Sequence, residues 1–189
     1  MRSLRLTLLG LAALTLAACQ SSPGKHQPGV RKGVHIAPPV TLPAPLACSP
    51  STSETPKLAL PHTEITRAAA ATPGPVDIAQ VHTVNRPLAD VGVWQTRADG
   101  WSRLALQIGS DGARSIAVRL RDLKMPAQTQ VWLCSPDGKL RQGPFHEARD
   151  KEIWTPEFGG SQVRLEIWVP SVERQAFSGF LADVYGGYR

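Results

Sequence analysis

Apolar and polar residues alternate most clearly between Trp154 and Pro170, WTPEFGGSQVRLEIWVP. Val163, Leu165, Ile167 and Val169 fall on one side of an extended chain. Arg164, Glu166 and Trp168 fall on the other, which is the period of a half-buried β-strand. Glu157-Phe158-Gly159-Gly160 precedes it as a turn, because glycine reaches positive φ without steric cost. Pro170 closes it, since proline has no N–H to give a ladder.

The same period recurs from Asp90 onward. Val91, Val93 and Trp94 open a strand that Arg97-Ala98-Asp99-Gly100 turns. Leu104, Leu106 and Ile108 alternate with Arg103, Ala105 and Gln107. Gly109-Ser110-Asp111-Gly112 predicts a hairpin turn into Ile116, Val118 and Leu120, which alternate with Ala117, Arg119 and Arg121. Thr129 to Cys134 predicts a further strand, and Ser135-Pro136-Asp137-Gly138 a turn into a short one around Leu140. Glu152-Ile153-Trp154 and Phe177 to Tyr185 predict the rest. About seven or eight short strands parted by Gly, Pro and Asp turns predict an all-β chain, an antiparallel β-sandwich over residues 85–189.

Upstream the period is lost. Eleven of the seventeen prolines lie between Gln20 and Pro75, whereas every Trp, Tyr and Phe lies after residue 90. Residues 19–84 are therefore expected to form a Pro/Ala-rich, disordered tether carrying the domain. Residues 1–18 read as an export signal, with Arg2 and Arg5 ahead of the apolar run Leu6–Leu16. That run is short for a bilayer span. It ends in Leu16-Ala17-Ala18-Cys19, which resembles the bacterial lipobox, in which cleavage precedes a cysteine that becomes acylated. A plain secretory signal containing a cysteine and a short membrane anchor are the competing readings. Lipidation at Cys19 is the expectation, with three acyl chains (palmitate among them) holding the chain more firmly than one would. Gln20 after the cysteine, in place of Asp, points to the outer membrane, with the domain in the periplasm or facing outward.

Charge alters little. The net charge is +6, but from Asn85 onward fourteen basic residues face twelve acidic ones. A nucleic-acid binder concentrates basic residues on its folded domain, so nucleic acid is not an expected partner.

A set of short motifs, taken in order, resembles a known arrangement. The set is Trp101-Ser102-Arg103-Leu104, Asp111-Gly112-Ala113-Arg114-Ser115-Ile116, Ser135-Pro136-Asp137-Gly138, Gly143-Pro144-Phe145, Trp154-Thr155-Pro156, Val163–Pro170 and the final Val184-Tyr185-Gly186-Gly187-Tyr188-Arg189. It is similar to the β-rich segment that precedes the catalytic domain of secreted bacterial lysyl endopeptidases, and it spans about Asp90 to Arg189. The sequence ends where the protease domain would begin, so no catalytic His, Asp or Ser carries over. The resemblance implies a fold and a pro-segment-like role in binding a protease, and no peptidase activity.

The remaining residues offer little chemistry. Ser110 lies between glycines in the wrong order for a trypsin-like nucleophile, and its turn accounts for it. His26, His35, His62 and His82 fall in the expected tether, where no scaffold orients a base. His146, beside Glu147 and Asp150, reads as part of a solvated loop. HExxH, CxxC and a phosphate loop are all lacking, so the expectation is a non-enzyme with no cofactor and no metal. Cys48 and Cys134 remain after lipidation. Export permits a disulfide between them, which would pin the tether across the sandwich; an exposed Cys48 beside a half-buried Cys134 is the alternative.

Strand parity nominates a working surface. With the aliphatic residues inward, Arg103, Arg119, Arg121, Trp132, Arg164 and Trp168 point outward. Arginine and tryptophan suit a protein interface, where large area and a planar donor fork are buried together. The opposing reading is that the chain's own tether or last strand covers this face. The expected function is a lipid-anchored envelope module that binds a protein partner, such as a secreted serine protease served by a chaperone or an inhibitor. A glycan-binding module is the alternative.

Overall fold

A computed structural model describes residues 42–50, 55–62, 79–146 and 148–188, all within one compact unit, Val40–Arg189. Cys19, the stretch 1–18 expected to be an export signal, and Glu147 lie outside the described residues. Among the described residues no helix is long and apolar enough to cross a membrane.

The chain is an all-β sandwich. Its strands are β1 Lys57–Leu60, β2 Ala79–Pro87, β3 Val93–Thr96, β4 Trp101–Ser110, β5 Ser115–Lys124, β6 Gln130–Cys134, β7 Arg141–Phe145, β8 Ile153–Trp154, β9 Phe158–Gly159, β10 Gln162–Pro170 and β11 Ser178–Gly187. A single helical turn, α1 (Leu88–Val91), joins β2 to β3. The first sheet runs β1-β4-β10-β6-β7, with β3 sharing the β4 edge that β1 also uses. β1 pairs parallel to β4 beside Gln107–Ser110, and β3 pairs antiparallel beside Ser102–Ala105. The second sheet runs β2-β11-β5-β8, with β9 on the same β5 edge as β8.

The aliphatic residues named by alternation meet between the sheets. Leu165 lies opposite Leu106 on one side and Leu133 on the other; Ile167 lies opposite Leu104 and Val131. From the second sheet, Val118 faces Val184 and Leu120 faces Leu181. All ten are fully or almost fully buried and belong to one cluster. Burying each such side chain contributes about 1.5–3 kcal/mol, the main favourable term in a sandwich of this kind.

Three expectations need correction. The segment expected as tether supplies β1, most of β2 and a strap, residues 42–50, that lies on the first sheet. Short polar and proline-rich stretches carry too little apolar period to be read as strands, yet an existing sheet edge supplies their backbone partners. The turn at Gly109–Gly112 does not form a hairpin, because β4 and β5 belong to different sheets. Its backbone bonds elsewhere: Ser110 N–H donates to Ser161 O, Asp111 N–H to Leu60 O and Arg114 N–H to Gly187 O. A glycine-rich turn between alternating strands looks the same whether it folds back or arches across. Finally, Val91 belongs to α1, and its strand begins only at Val93.

Candidate functional site

The outer face of the first sheet carries the polar side of β10. Arg164 lies beside Cys134 and Gln107, Glu166 beside Trp132 and Ala105, and Trp168 beside Gln130 and Arg103. Alternation along β10 would leave these residues in water. Instead Val163 to Pro170 is buried throughout, and Arg164, Glu166 and Trp168 are completely buried. Arg103 is 5 % exposed. The strap covers Arg164 and Glu166, while the Arg97 and Arg103 guanidiniums lie 5.6 and 5.8 Å from the Trp168 ring centre. Trp101 Nε1 donates to the Pro43 carbonyl at 2.9 Å, Cys48 N–H donates to Glu166 Oε2 at 2.9 Å, and Arg164 donates to the Ser49 carbonyl. Cys48 and Cys134 form a disulfide with their Cα atoms 5.3 Å apart. Gly138, at φ +75°, lets the β6–β7 turn approach the strap so closely that an added Cβ would lie 2.2 Å from the Cys48 carbonyl oxygen.

Glu166 is the hub of this covered face. Its Oε1 accepts from Arg164 Nε at 2.8 Å and Arg103 Nη1 at 3.5 Å. Its Oε2 accepts from Trp168 Nε1 at 2.9 Å and from the strap. Arg103 also donates from Nη2 to Gln95 Oε1 at 2.7 Å, while its buried Nε has no partner. Burial pulls the Arg103 guanidinium below its ordinary pKa, against the raising effect of Glu166. A carboxylate with both oxygens committed to donors and no access to water cannot serve as a base. Cys48, Cys134 and Glu166 form the one His/Cys/Asp/Glu group among the described residues with ligand atoms within 4.8 Å of one another. The sulfurs are bonded to each other, so they present no thiolates to a metal.

The six residues nominated by parity therefore divide. Arg103, Arg164 and Trp168 are not on an open surface, a correction: the strap covers Arg164, Arg97 and Arg103 lie against Trp168, and Arg103 is held by Gln95 and Glu166. Trp132 is half-buried on the same face, with Arg141 5.6 Å from its ring centre. Arg119 and Arg121 lie half-buried on the second sheet, whose outer face no described segment covers.

That open face has its own constellation. Across β2, β11, β5 and β8, a single row brings together Thr83, Asp183, Arg119 and Trp154. Arg119 grips Glu152 with two bonds, at 2.8 and 3.2 Å, and reaches Asp183 at 3.4 Å. Thr83 donates to Asp183 at 2.9 Å, and Trp154 Nε1 to Glu152 Oε2 at 2.9 Å. The guanidinium sits 4.7 Å from the Trp154 ring centre, and the Tyr185 ring 5.7 Å away. Trp154 is nonetheless 56 % exposed. Hydrogen bonding to Glu152 raises the Arg119 pKa, and the same contact holds Glu152 below the ordinary carboxylate range. Burial, aided by Asp183, raises Tyr185. Both partners of the Arg119–Glu152 pair thus stay charged at neutral pH. A shallow hollow adjoins this row, lined by Phe145, Arg149, Asp150, Glu152, Ile153 and Trp154. Farther along, Arg121 bonds to Asn85 and Asp122 and lies 4.9 Å from the Phe180 ring centre.

Neither a protein-family model nor a curated protein matches this sequence. Trp154, Glu152, Asp183 and Tyr185 were not among the residues that parity nominated. Glu152-Ile153-Trp154 shows the signal for one of them, since a buried Ile153 places Trp154 on the opposite side.

Proposed function

We propose that this chain is a non-catalytic binding module of the bacterial envelope, lipid-anchored through Cys19 at the outer membrane, that docks a protein partner on the outer face of its second sheet. The observation that carries the reading is Trp154, a large aromatic residue left 56 % exposed yet held by Arg119 and Glu152. Tryptophan, tyrosine and arginine dominate the energetics of protein interfaces, and side chains already held in place lose less entropy on binding. One flank of the indole is taken by Arg119, so a sugar ring stacking there would have to displace the guanidinium. This favours a protein over a glycan. The resemblance to the segment preceding lysyl endopeptidase domains names the partner class, a secreted serine protease that the module chaperones or inhibits.

The test uses a secreted bacterial lysyl endopeptidase as the probe, with a glycan array alongside. Trp154→Ala is expected to weaken protease binding by about 1–3 kcal/mol while thermal melting changes little, because the residue lies at the surface. Arg119→Ala is expected to act in the same direction. Wild-type affinity in both variants would remove this face, and saturable glycan binding lost in Trp154→Ala would replace the protein reading. Anchoring is checked separately: Cys19→Ala is expected to abolish labelling by a clickable palmitate analogue, and equal labelling of wild type and variant would refute it.

A further inference from the structure

The first sheet holds a second surface, independent of the Trp154 face. We propose that its outer side is a groove for a proline-containing peptide with a turn, filled in the oxidised chain by residues 42–50 and opened when the Cys48–Cys134 disulfide is reduced.

Three observations lead there. First, the strap is held by its backbone. The Pro43 carbonyl, the Cys48 N–H and the Ser49 carbonyl meet Trp101, Glu166 and Arg164. The strap turns at Ala47-Cys48, with Cys48 at φ +64°, and a surface that reads the carbonyls and N–H of such a segment accepts others of the same shape. Second, the strap is poorly packed. Cys48 is its one buried residue, and Leu46, its largest apolar side chain together with Leu42, is 68 % exposed. With little apolar burial, the disulfide and three hydrogen bonds to its backbone keep the strap seated, so cutting the disulfide lowers the cost of local opening. Third, what lies beneath is not what a permanent interior contains. Arg164 and Glu166, which the strap touches, are charged and wholly buried, and Arg103, paired with Glu166 beside them, has an Nε without a partner. Buried ion pairs of this kind are costly to desolvate, so admitting water to them offsets much of the loss of the strap's contacts. An all-aliphatic underside would resist opening; this one tolerates both states.

The opening step is thiol–disulfide exchange with a dithiol reductant. A reductant thiolate attacks Cys48 Sγ, and Cys134 leaves as a thiolate that takes a proton. The reductant's second thiol then attacks the mixed disulfide, releasing Cys48 as a thiol and the reductant as a cyclic disulfide. Two electrons and two protons pass to the protein. The partner that fits the opened groove is a proline-containing segment like Leu42–Pro50 (LPAPLACSP), with a turn and a free N–H at the position of Cys48.

The experiment uses the full chain in oxidised and reduced forms, with Cys48→Pro as a variant that removes both the disulfide and the strap's N–H. Hydrogen exchange of residues 42–50 and iodide quenching of tryptophan are measured beside circular dichroism. A fluorescent peptide of residues 42–50 carrying Cys48→Ser is titrated into each form. Reduction is expected to raise exchange in the strap by about tenfold or more with the β signal retained, as for a local opening. The peptide is expected to bind Cys48→Pro, and the reduced chain more weakly, because the tethered strap competes at high effective concentration. Unchanged exchange and quenching on reduction would overturn the latch. Loss of the β signal on reduction would make the disulfide a staple of the whole fold instead. Equal peptide binding by the oxidised chain, or binding by neither the reduced chain nor Cys48→Pro, would overturn the groove.

Discussion

Glu166→Ala is expected to destabilise the domain by about 3–5 kcal/mol, the cost of breaking a buried charge network from one side. The substitution leaves Arg103 and Arg164 buried without their counter-charge, and Trp168 Nε1 and the Cys48 N–H without an acceptor. Against a total stability of about 5–15 kcal/mol for a typical domain, that is a large fraction. Equilibrium urea unfolding of the oxidised chain measures it. Glu166→Gln, which keeps the shape and one acceptor oxygen but not the charge, is expected to cost less than alanine. Alternation along β10 predicts the reverse, that alanine at position 166 is nearly silent because the side chain faces solvent. A loss below about 1 kcal/mol would restore that reading and mean that the strap does not cover the face in solution.

Leu165→Ala and Ile167→Ala are expected to cost about 2–5 kcal/mol each, from lost apolar transfer plus the cavity left behind. Both residues are fully buried at the centre of the first sheet, flanked by Leu106 and Leu133 in one case and Leu104 and Val131 in the other. Their neighbours are held in two strands at once, so the cavity collapses only partly. The two sites lie in one packed cluster, and the double variant should depart from the sum of the singles. Chemical denaturation with both singles and the double is the measurement. Losses near those of a surface site would show that β10 does not run through the core.

These two predictions mark what was legible. The interior side of β10 was read correctly from its alternation, and so were the aliphatic sides of β4 and β5, because side-chain direction in a strand depends only on residue parity. The tendency of Cys48 and Cys134 toward a disulfide was open to reading but not its outcome, since spacing in sequence does not report distance in space. The Trp154 row was out of reach for another reason. Its members come from β2, β11, β5 and β8, and only the strand order of the second sheet makes Thr83, Asp183, Arg119 and Trp154 neighbours.

By itself, the sequence determined the all-β class, the inward residues of the long strands and the polar character of their other sides. Each of these follows from the chain's local geometry, in which successive side chains alternate. The tertiary structure alone decided which polar side meets water. On β10 and β4 it does not, because residues 42–50 return over Arg164 and Glu166, tied by a disulfide spanning 86 residues, and Arg97 and Gln95 close on Trp168 and Arg103. On β5 and β8 it does, because no described segment crosses the second sheet at Trp154. Burial on the outer side of a sheet is set by whatever distant segment finds its hydrogen-bond partners there, and alternation carries no record of that segment.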